Sequence, residues 1–204
     1  PQPRGGGARP STREVVTSTS VRKTARVPRR PDDRVAQMNS PLRADALRTV
    51  LPGSIVTRCT DYDVPEPVVV QRCCWVSEAI ANDTLDIPPL HETAAQVRRW
   101  SHEWETYVVR LGPRLVGAFR YRVDGTRCDI GRLMVVPDLA GRGIGTAMLR
   151  AIEDAAAPSA SSFAMFTGAR STRNIRTYER AGYAVTRRER GLVFLTKNRP
   201  LDEV

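Results

Sequence analysis

The sequence predicts an α/β (α+β) fold, in which a mixed, mostly antiparallel sheet of about six to seven strands is flanked by about four helices. Three observations predict this fold. Residues 107–136 contain three consecutive apolar runs that turn residues separate, which is typical of a meander. A glycine-rich loop after the third run leads into an amphipathic helix. A strand, a further helix and a hairpin then complete the chain.

The segment before the meander predicts one strand, at 55–59, and two helices. Apolar residues that recur at helical spacing predict the buried face of the first helix: Val69, Cys73, Val76 and Ile80. Residues 82–89, with Asn, Asp and two Pro, should end that helix. The same spacing predicts the second helix at Ala94, Val97, Trp100 and Trp104. The tryptophans Trp75, Trp100 and Trp104 serve either the core or a ligand cage.

The meander and the segments after it supply the remaining strands. The meander strands are predicted at 107–111, 115–123 and 128–136, with hairpin turns at Gly112-Pro113 and Asp124-Gly125. The helix after the loop has an apolar stripe at Ile144, Met148, Leu149 and Ile152. A strand at 163–167 and a closing hairpin of 184–188 and 191–196, turning at Glu189-Arg190, complete the sheet.

The loop that follows the third meander strand indicates an anion-binding site. Gly141, Gly143 and Gly145 leave the backbone N–H groups at the helix start uncovered, and a helix N-terminus attracts phosphate groups. Arg142 adds a full positive charge. We therefore predict that the loop binds a pyrophosphate, although such glycines also serve tight turns and close helix packing. The loop has neither the Walker pattern nor the dinucleotide-binding pattern.

A second motif follows the strand at 163–167. Ser171 or Thr172 can cap a helix there, and Gly182 can end it in the left-handed conformation. Asn174 and Tyr178 are four residues apart and therefore share one face of that helix. In isolation, such residues serve packing and capping as readily as catalysis.

The two motifs, in this order and with a strand between them, resemble those of the GNAT superfamily of acyl-CoA-dependent N-acetyltransferases, over roughly residues 54–197. The resemblance implies direct transfer of an acetyl group from acetyl-CoA to a primary amine, of a small molecule or a protein, in a ternary complex. It also implies these cofactor-binding residues: Leu133, Met134, Val135, Gly141, Arg142, Gly143, Ile144, Gly145, Thr146 and Asn174. Ala140 stands where the family commonly has Gln or Arg, so we expect weaker cofactor binding.

The resemblance also implies two catalytic residues. Tyr178 matches the usual proton donor to the departing thiolate. Asp129 lies where many members place a carboxylate that accepts the proton of the amine, although beside Arg127 it can equally be a salt-bridged strand residue. In relatives, the acceptor pocket is lined by segments that correspond to residues 82–91 and 188–191. Nearby acidic residues could attract a cationic amine or simply be solvated: Asp83, Asp86 and Glu92.

The net charge of +10 is concentrated at the start of the chain, where residues 1–50 carry seven of the ten charges and no aromatic residue. Such a segment cannot bury enough apolar surface to become ordered, so we expect a basic, largely disordered extension at 1–50 and an acetyltransferase domain at 51–204. The extension could bind nucleic acid through phosphate contacts. The alternatives are a solubilising tail and a native start at Met38.

The remaining composition excludes several other classes of protein. The four cysteines show no metal-binding spacing and there are only two histidines, so we expect no metal site. No apolar run is long enough to cross a membrane and no signal peptide begins the chain, so a cytoplasmic monomer or homodimer is expected. A non-catalytic acyl-CoA sensor with the same fold stays open as an alternative function.

Overall fold

Seven strands form one sheet in the computed structural model, which describes residues 42–199. The strands are β1 (Ser54–Arg58), β2 (Glu105–Leu111), β3 (Arg114–Asp124), β4 (Arg127–Val135), β5 (Ser162–Gly168), β6 (Ala184–Glu189) and β7 (Leu192–Asn198). Their order in the sheet is β1-β2-β3-β4-β5-β7-β6, and only the β4–β5 pair is parallel. The predicted mixed, mostly antiparallel sheet is therefore confirmed.

Six helices occur in this part of the chain: α1 (Asp45–Val50), α2 (Pro65–Asn82), α3 (Pro88–His91), α4 (Ala94–Glu103), α5 (Ile144–Ala156) and α6 (Thr172–Arg180). Between residues 42 and 199, none of them combines the length and apolar character needed to cross a membrane. The same residues hold no group of three or more His, Cys, Asp or Glu side chains placed to bind a metal ion.

The helices cover both faces of the sheet. On one face, α1, α5 and α6 pack on the largest apolar cluster, and the predicted stripe of α5 is fully buried there: Ile144, Met148, Leu149 and Ile152. On the other face, α2 packs over Val108, Ala118 and Met134. Helix α4 joins that face through Val97 and Trp100, which are buried as predicted.

Helix α1 lies within the segment that we expected to belong to the extension. Ala44, Leu47 and Leu51 are buried in the cluster that contains α5, so residues 42–50 pack with the domain. One short apolar set at helical spacing is enough to dock a turn and a half of helix, and the low aromatic content of the segment concealed it. The rest of the expected extension, residues 1–41, lies outside the described residues.

Helix α2 is present, but its predicted buried face is wrong. Val69, Val76 and Ile80 are 59%, 51% and 76% exposed, and Cys73 is exposed as well. The buried face instead carries Val68, Gln71 and Ala79. Polar residues at buried helical positions find hydrogen-bond partners on distant segments, which apolar periodicity does not reveal.

Two of the predicted hairpin turns are shifted by one residue. The turn between β3 and β4 is Gly125-Thr126, and the turn between β6 and β7 is Arg190-Gly191. Gly125 has a φ of 60°, and Arg190 and Gly191 have φ values of 49° and 74°. Tight hairpins require this left-handed backbone, which glycine adopts without steric cost, so the glycines occupy the turns.

The parallel pair is short, and this creates a cleft in the sheet. β4 pairs with β5 only at Arg127, Cys128 and Asp129. Beyond Asp129 the two strands separate, while β5 stays paired with β7 as far as Gly168. The second half of β4 therefore has no strand partner on the side that faces β5.

A β-bulge distorts β4 at the beginning of this separation. Arg120 on β3 pairs with Gly131, whereas Ala118 pairs with Met134, so two residues of β4 lie opposite one residue of β3. Arg132, within the bulge, has a left-handed φ of 49°. Bulges bend a strand and redirect its side chains, and they are common next to active sites.

Candidate active site

The loop predicted to bind pyrophosphate lies at the N-terminus of α5. Gly141 and Gly143 have φ values of 86° and 80°, and Gly143 directly precedes the helix. No side chain caps this helix end, and a Cβ atom placed on Gly145 would touch nothing within 4 Å. The first N–H groups of a helix have no partner within it, so they remain available to an anion.

Two arginines add positive charge to this loop. Arg142 is exposed within it, as the sequence predicts. Arg173, at the start of α6, comes so close that its Nη2 atom would lie 3.2 Å from a Cβ on Gly141. Sequence reasoning missed Arg173, because only the packing of α6 beside the loop brings the two together.

The segment predicted to bind the cofactor arm, Leu133 to Val135, follows the bulge on the free side of β4. Met134 is buried under α2, whereas Leu133 and Val135 are partly buried on the opposite face. The carbonyl oxygen of Val135 accepts a hydrogen bond of 3.2 Å from the thiol of Cys74 on α2. Burial raises the pKa of that thiol to about 12, so Cys74 remains protonated at neutral pH.

Asn174 does lie beside the cleft, but its side chain is engaged there. Its Nδ2 atom donates a hydrogen bond of 2.8 Å to Oε1 of Glu78 on α2. Ser171, at the N-cap position of α6, does not cap the helix and donates its hydroxyl to Oε2 of the same carboxylate. The two helices pack on opposite faces of the sheet, and they meet here because β4 and β5 have separated.

Glu78 is the functional candidate that the sequence did not indicate. Its partners Ser171 and Asn174 are more than ninety positions away in the chain. Asn82 supports the arrangement by donating from Nδ2 to the Ser171 hydroxyl at 2.8 Å. A carboxylate that side chains of a distant helix hold beside a cleft is a candidate proton acceptor.

Tyr178 lies one helical turn after Asn174 and is partly buried. Its hydroxyl group makes no hydrogen bond with any residue between 42 and 199, and its ring meets Tyr183 edge-on at 6.5 Å. Burial, followed by the negative charge of Glu78, raises the pKa of Tyr178 to about 12. The phenol therefore carries its proton at neutral pH and can donate it in a hydrogen bond.

Asp129 lies at the closed end of the cleft, in the last residue pair between β4 and β5. Its Oδ1 atom accepts a hydrogen bond of 2.8 Å from Nε of Arg127, and Arg122 is 3.8 Å from Oδ2. These are the contacts that the salt-bridge interpretation expects. A base role would require at least one of the two guanidinium groups to move away.

Glu92 follows the segment predicted to line the acceptor pocket, and the sequence left it either to attract an amine or to be solvated. In the structure, other side chains of the protein engage it. It accepts hydrogen bonds from Gln71 at 2.9 Å and from the Trp100 indole at 3.1 Å, and it forms an ion pair with Arg132. Burial by itself would raise its pKa, but these hydrogen bonds and the charge of Arg132 outweigh burial and hold the pKa of Glu92 below its ordinary value.

Comparison with known proteins identifies a family and several structures with a similar fold. Residues 75–183 match the model of the acetyltransferase (GNAT) family. The fold is similar to that of the PaiA N-acetyltransferase from Thermoplasma acidophilum, solved in complex with coenzyme A, with 12% identity, a TM-score of 0.56, and coverage of 71% of this chain and 98% of that one.

Two further solved structures share the fold. The GNAT domain of S. lividans PAT has 20% identity and a TM-score of 0.61, with coverage of 71% of this chain and 90% of that one. Ribosomal-protein-alanine N-acetyltransferase from Brucella melitensis has 17% identity and a TM-score of 0.54, with coverage of 71% and 99%. No curated protein matches the chain significantly. The family model spans more than half of the chain and the fold agrees with it, so this protein belongs to the GNAT family of acetyltransferases.

Proposed function

We propose that this protein transfers an acetyl group from acetyl-CoA to a primary amine, by direct transfer in a ternary complex. The observation that carries this proposal is the cleft where β4 leaves β5. One end of the cleft has an uncapped helix start with two arginines, and its wall carries a tyrosine whose hydroxyl lacks a partner among residues 42–199. These groups match the charge of a diphosphate and the need to stabilise a departing sulfur anion.

The residues that would hold acetyl-CoA fit its chemistry. The N–H groups of residues 143–146, with Arg142 and Arg173, would bind the diphosphate. The backbone groups of Leu133 to Val135 on the side away from β3 would bind the amides of the pantetheine arm, as they do in the superfamily that the sequence resembles. The thioester would supply an acetyl group activated for attack by an amine.

The acceptor amine must lose a proton before it can react. An alkylamine with a pKa near 10.4 is almost fully protonated at neutral pH, and removing its proton costs about 4.6 kcal/mol at pH 7. We propose Glu78 as the proton acceptor, because it lies beside Tyr178 and Asn174 at the cleft. Asp129 stands as the alternative that the family resemblance implies, with its carboxylate engaged by two arginines.

The proposed carboxylate and Tyr178 would assist the transfer of the acetyl group. The carboxylate takes one proton from the alkylammonium, and the amine nitrogen then attacks the thioester carbonyl carbon. The carbon–sulfur bond breaks, the sulfur leaves as a thiolate, and the second proton passes from nitrogen to water. Tyr178 would stabilise the thiolate. Because a thiol has a pKa near 8.5, complete proton transfer from a phenol of pKa about 12 is uphill by roughly 5 kcal/mol. Tyr178 therefore acts as a hydrogen-bond donor to sulfur.

The test is thiol release from acetyl-CoA with a panel of primary amines, run beside calorimetric titration of acetyl-CoA. An enzyme binds acetyl-CoA and releases thiol only when an acceptor is present. Binding without release for every amine would support the non-catalytic sensor instead. The absence of binding would overturn both.

A further inference from the structure

A stack of arginine and tryptophan side chains lies on the face of the sheet that α2 and α4 cover. The Arg120 guanidinium carbon is 4.6 Å from the ring centre of Trp100 and 4.5 Å from that of Trp104. Arg122 contacts Trp104 as well, at 4.7 Å. The rings of both tryptophans thus contact the Arg120 guanidinium, and cation–π contacts of this kind hold it in place.

Arg120 has no partner for its N–H groups. Its Nε and Nη1 atoms are buried and make no hydrogen bond, and Arg120 forms no ion pair with any residue between 42 and 199. Nε of Arg132, in the neighbouring bulge, is likewise buried without an acceptor. Buried charged donors without partners are costly, so such groups in a folded protein normally face water or a ligand.

Two carboxylates act on Arg120 electrostatically, those of Glu92 and Glu103. Glu92 pairs with Arg132, and neither carboxylate forms an ion pair or a hydrogen bond with Arg120. Burial, together with the charge of Arg132, lowers the pKa of Arg120 to about 9. The guanidinium is therefore still charged at neutral pH, and no carboxylate among residues 42–199 forms an ion pair with it.

Arg120 lies on the side of the cleft expected to receive the acceptor amine, away from the glycine loop expected to bind the diphosphate. Arg120 pairs with Gly131, just before the bulge, whereas the glycine loop follows the other end of Leu133 to Val135. Gly131 leaves room for the guanidinium, because a Cβ there would be 3.2 Å from Nε of Arg120. Strand residues advance by about 3.3 Å each, and Gly131 is two residues before Leu133. A small molecule that contacts Arg120 can therefore also reach the segment from Leu133 to Val135.

We propose that Arg120, between Trp100 and Trp104, binds a carboxylate group of the acceptor, so that the substrate is a small amine that also carries a carboxylate. The proposal rests on the acetyltransferase function. Nε and Nη1 of Arg120 are buried, so a carboxylate would reach the guanidinium through the N–H groups of Nη2, in a charge-assisted hydrogen bond. Arg120 retains part of its surface exposed, which gives the ligand access.

The experiment compares ω-amino acids of increasing length with alkylamines of the same length as acceptors. The wild-type protein should favour the carboxylate-bearing member of the best pair by about 10- to 100-fold in kcat/KM, the range expected for charge-assisted hydrogen bonds. In Arg120→Met, this preference should fall to near one, while the affinity for acetyl-CoA stays unchanged. Arg122→Met is the matched control, because Arg122 stacks on the same tryptophan but lies beside Asp129, and it should keep the preference.

Binding measured without turnover separates this proposal from the proposed function. The preferred ω-amino acid should raise the melting temperature of the wild-type protein, but not that of Arg120→Met or Arg120→Gln. If this binding depends on Arg120 but no amine releases thiol, the carboxylate site stands and the acetyltransferase function falls. If thiol is released equally from both members of each pair, or if the preference survives in both Arg120 variants, the carboxylate site is overturned.

Discussion

Two tyrosines near the end of α6 show how the surroundings of a side chain decide its role. The Tyr183 hydroxyl is buried and donates a hydrogen bond of 2.9 Å to Glu153, which also binds Lys197. Tyr178, whose ring is 6.5 Å from that of Tyr183, has a hydroxyl without such a partner. The first phenol is committed to the fold, whereas the second is available to a substrate.

We predict that Tyr178→Phe lowers kcat by about 100-fold or more, the usual scale for loss of a positioned hydrogen-bond donor to a developing anion, with little change in the affinity for acetyl-CoA. Steady-state kinetics and calorimetry measure the two effects. Tyr183→Phe is the control: it should lower the melting temperature and leave kcat close to that of the wild type. Equal turnover in Tyr178→Phe and wild type would remove this residue from the mechanism.

The two candidate proton acceptors differ in what holds them. Glu78 is held by neutral donors, Ser171 and Asn174, whereas Asp129 is held by cationic arginines. A base is needed in its deprotonated form, so activity that depends on it rises with pH through its pKa. We predict that Glu78→Gln moves this rise to higher pH, where the amine loses its proton unaided. Asp129→Asn should leave the profile of kcat/KM against pH unchanged, and the reverse result would assign the base to Asp129.

At the scale of elements, the N-terminus of α5 shows how helix stability and anion binding can make opposite demands on one position. It carries no acidic residue and no cap, so its dipole is uncompensated within the protein. A negative side chain in the first turn would stabilise the helix by about 0.3–1 kcal/mol. The same charge would repel a diphosphate.

Gly145→Asp should therefore keep or raise the melting temperature and lower the affinity for acetyl-CoA by at least about tenfold, the equivalent of 1.4 kcal/mol. A Cβ atom at this position meets no protein atom within 4 Å, so there is room for the substitution to begin. Gly145→Asn, which has the same size without the charge, should bind far better than Gly145→Asp. Equal affinity of the two variants would contradict a diphosphate site at this helix end.

An ion-pair cluster joins β2 to the segment that leads into α2. Arg110 donates to Asp63 at 2.8 Å and also pairs with Glu66, while Thr60 donates to Asp63 through both its backbone and its hydroxyl. Burial would raise the pKa of Asp63, but the hydrogen bonds from Arg110 and Thr60 prevail and lower it. A lowered pKa in the folded state stabilises the protein above the unfolded pKa of about 4, and this stability is lost as the pH falls through the folded value.

We predict that Asp63→Asn lowers the free energy of unfolding by about 1–3 kcal/mol at pH 7, the range for a buried polar group that loses its partner. The difference from the wild type should shrink as the pH falls below about 4. Denaturant unfolding at several pH values measures it. The exposed pair Arg114–Asp138 is the control, and Asp138→Asn should cause no measurable change at either pH. A difference for Asp63→Asn that is constant with pH would show that charge is not its cause.

At the scale of the whole molecule, the packed part of the chain includes α1. Residues 44–51 dock on α5, close enough that Val50 lies 3.8 Å from the position of a Cβ on Gly143. The glycine loop before α5 therefore contacts residues that precede β1. Any truncation that removes α1 should affect both stability and the loop.

A chain that begins at Met38 keeps α1 and should bind acetyl-CoA with the same Kd as the full chain. The basic residues before it belong to none of the cofactor contacts proposed above. Calorimetry of the two chains makes the comparison, and a chain that begins at Ser54, which lacks α1, should lose affinity. Weaker binding by the Met38 chain would show that the first 37 residues contribute to the domain. A salt-dependent titration with duplex DNA or RNA, run on both chains, tests whether those residues bind nucleic acid.

Local signals were sufficient where one segment contains its own evidence. Glycine turns and alternating apolar residues predicted the meander, and the stripe at Ile144, Met148 and Ile152 predicted α5, because period and turn chemistry are properties of short stretches. They failed for α2, where the more apolar face is the exposed one and the buried face contains Gln71. Which face of α2 is buried depended on Pro89 and Glu92, which accept the hydrogen bonds of Gln71.

The sequence alone determined the strands of the sheet, the glycine loop and the helix that carries Tyr178, because each of these is encoded within a few consecutive residues. Only the tertiary structure decided which distant side chains share the cleft. It brought Glu78 to Asn174 across the opening between β4 and β5, and it placed Arg120 against two tryptophans with no ion pair to any residue between 42 and 199. Hydrogen bonds and unpaired charges of this kind depend on positions in space, and spacing along a sequence does not specify them.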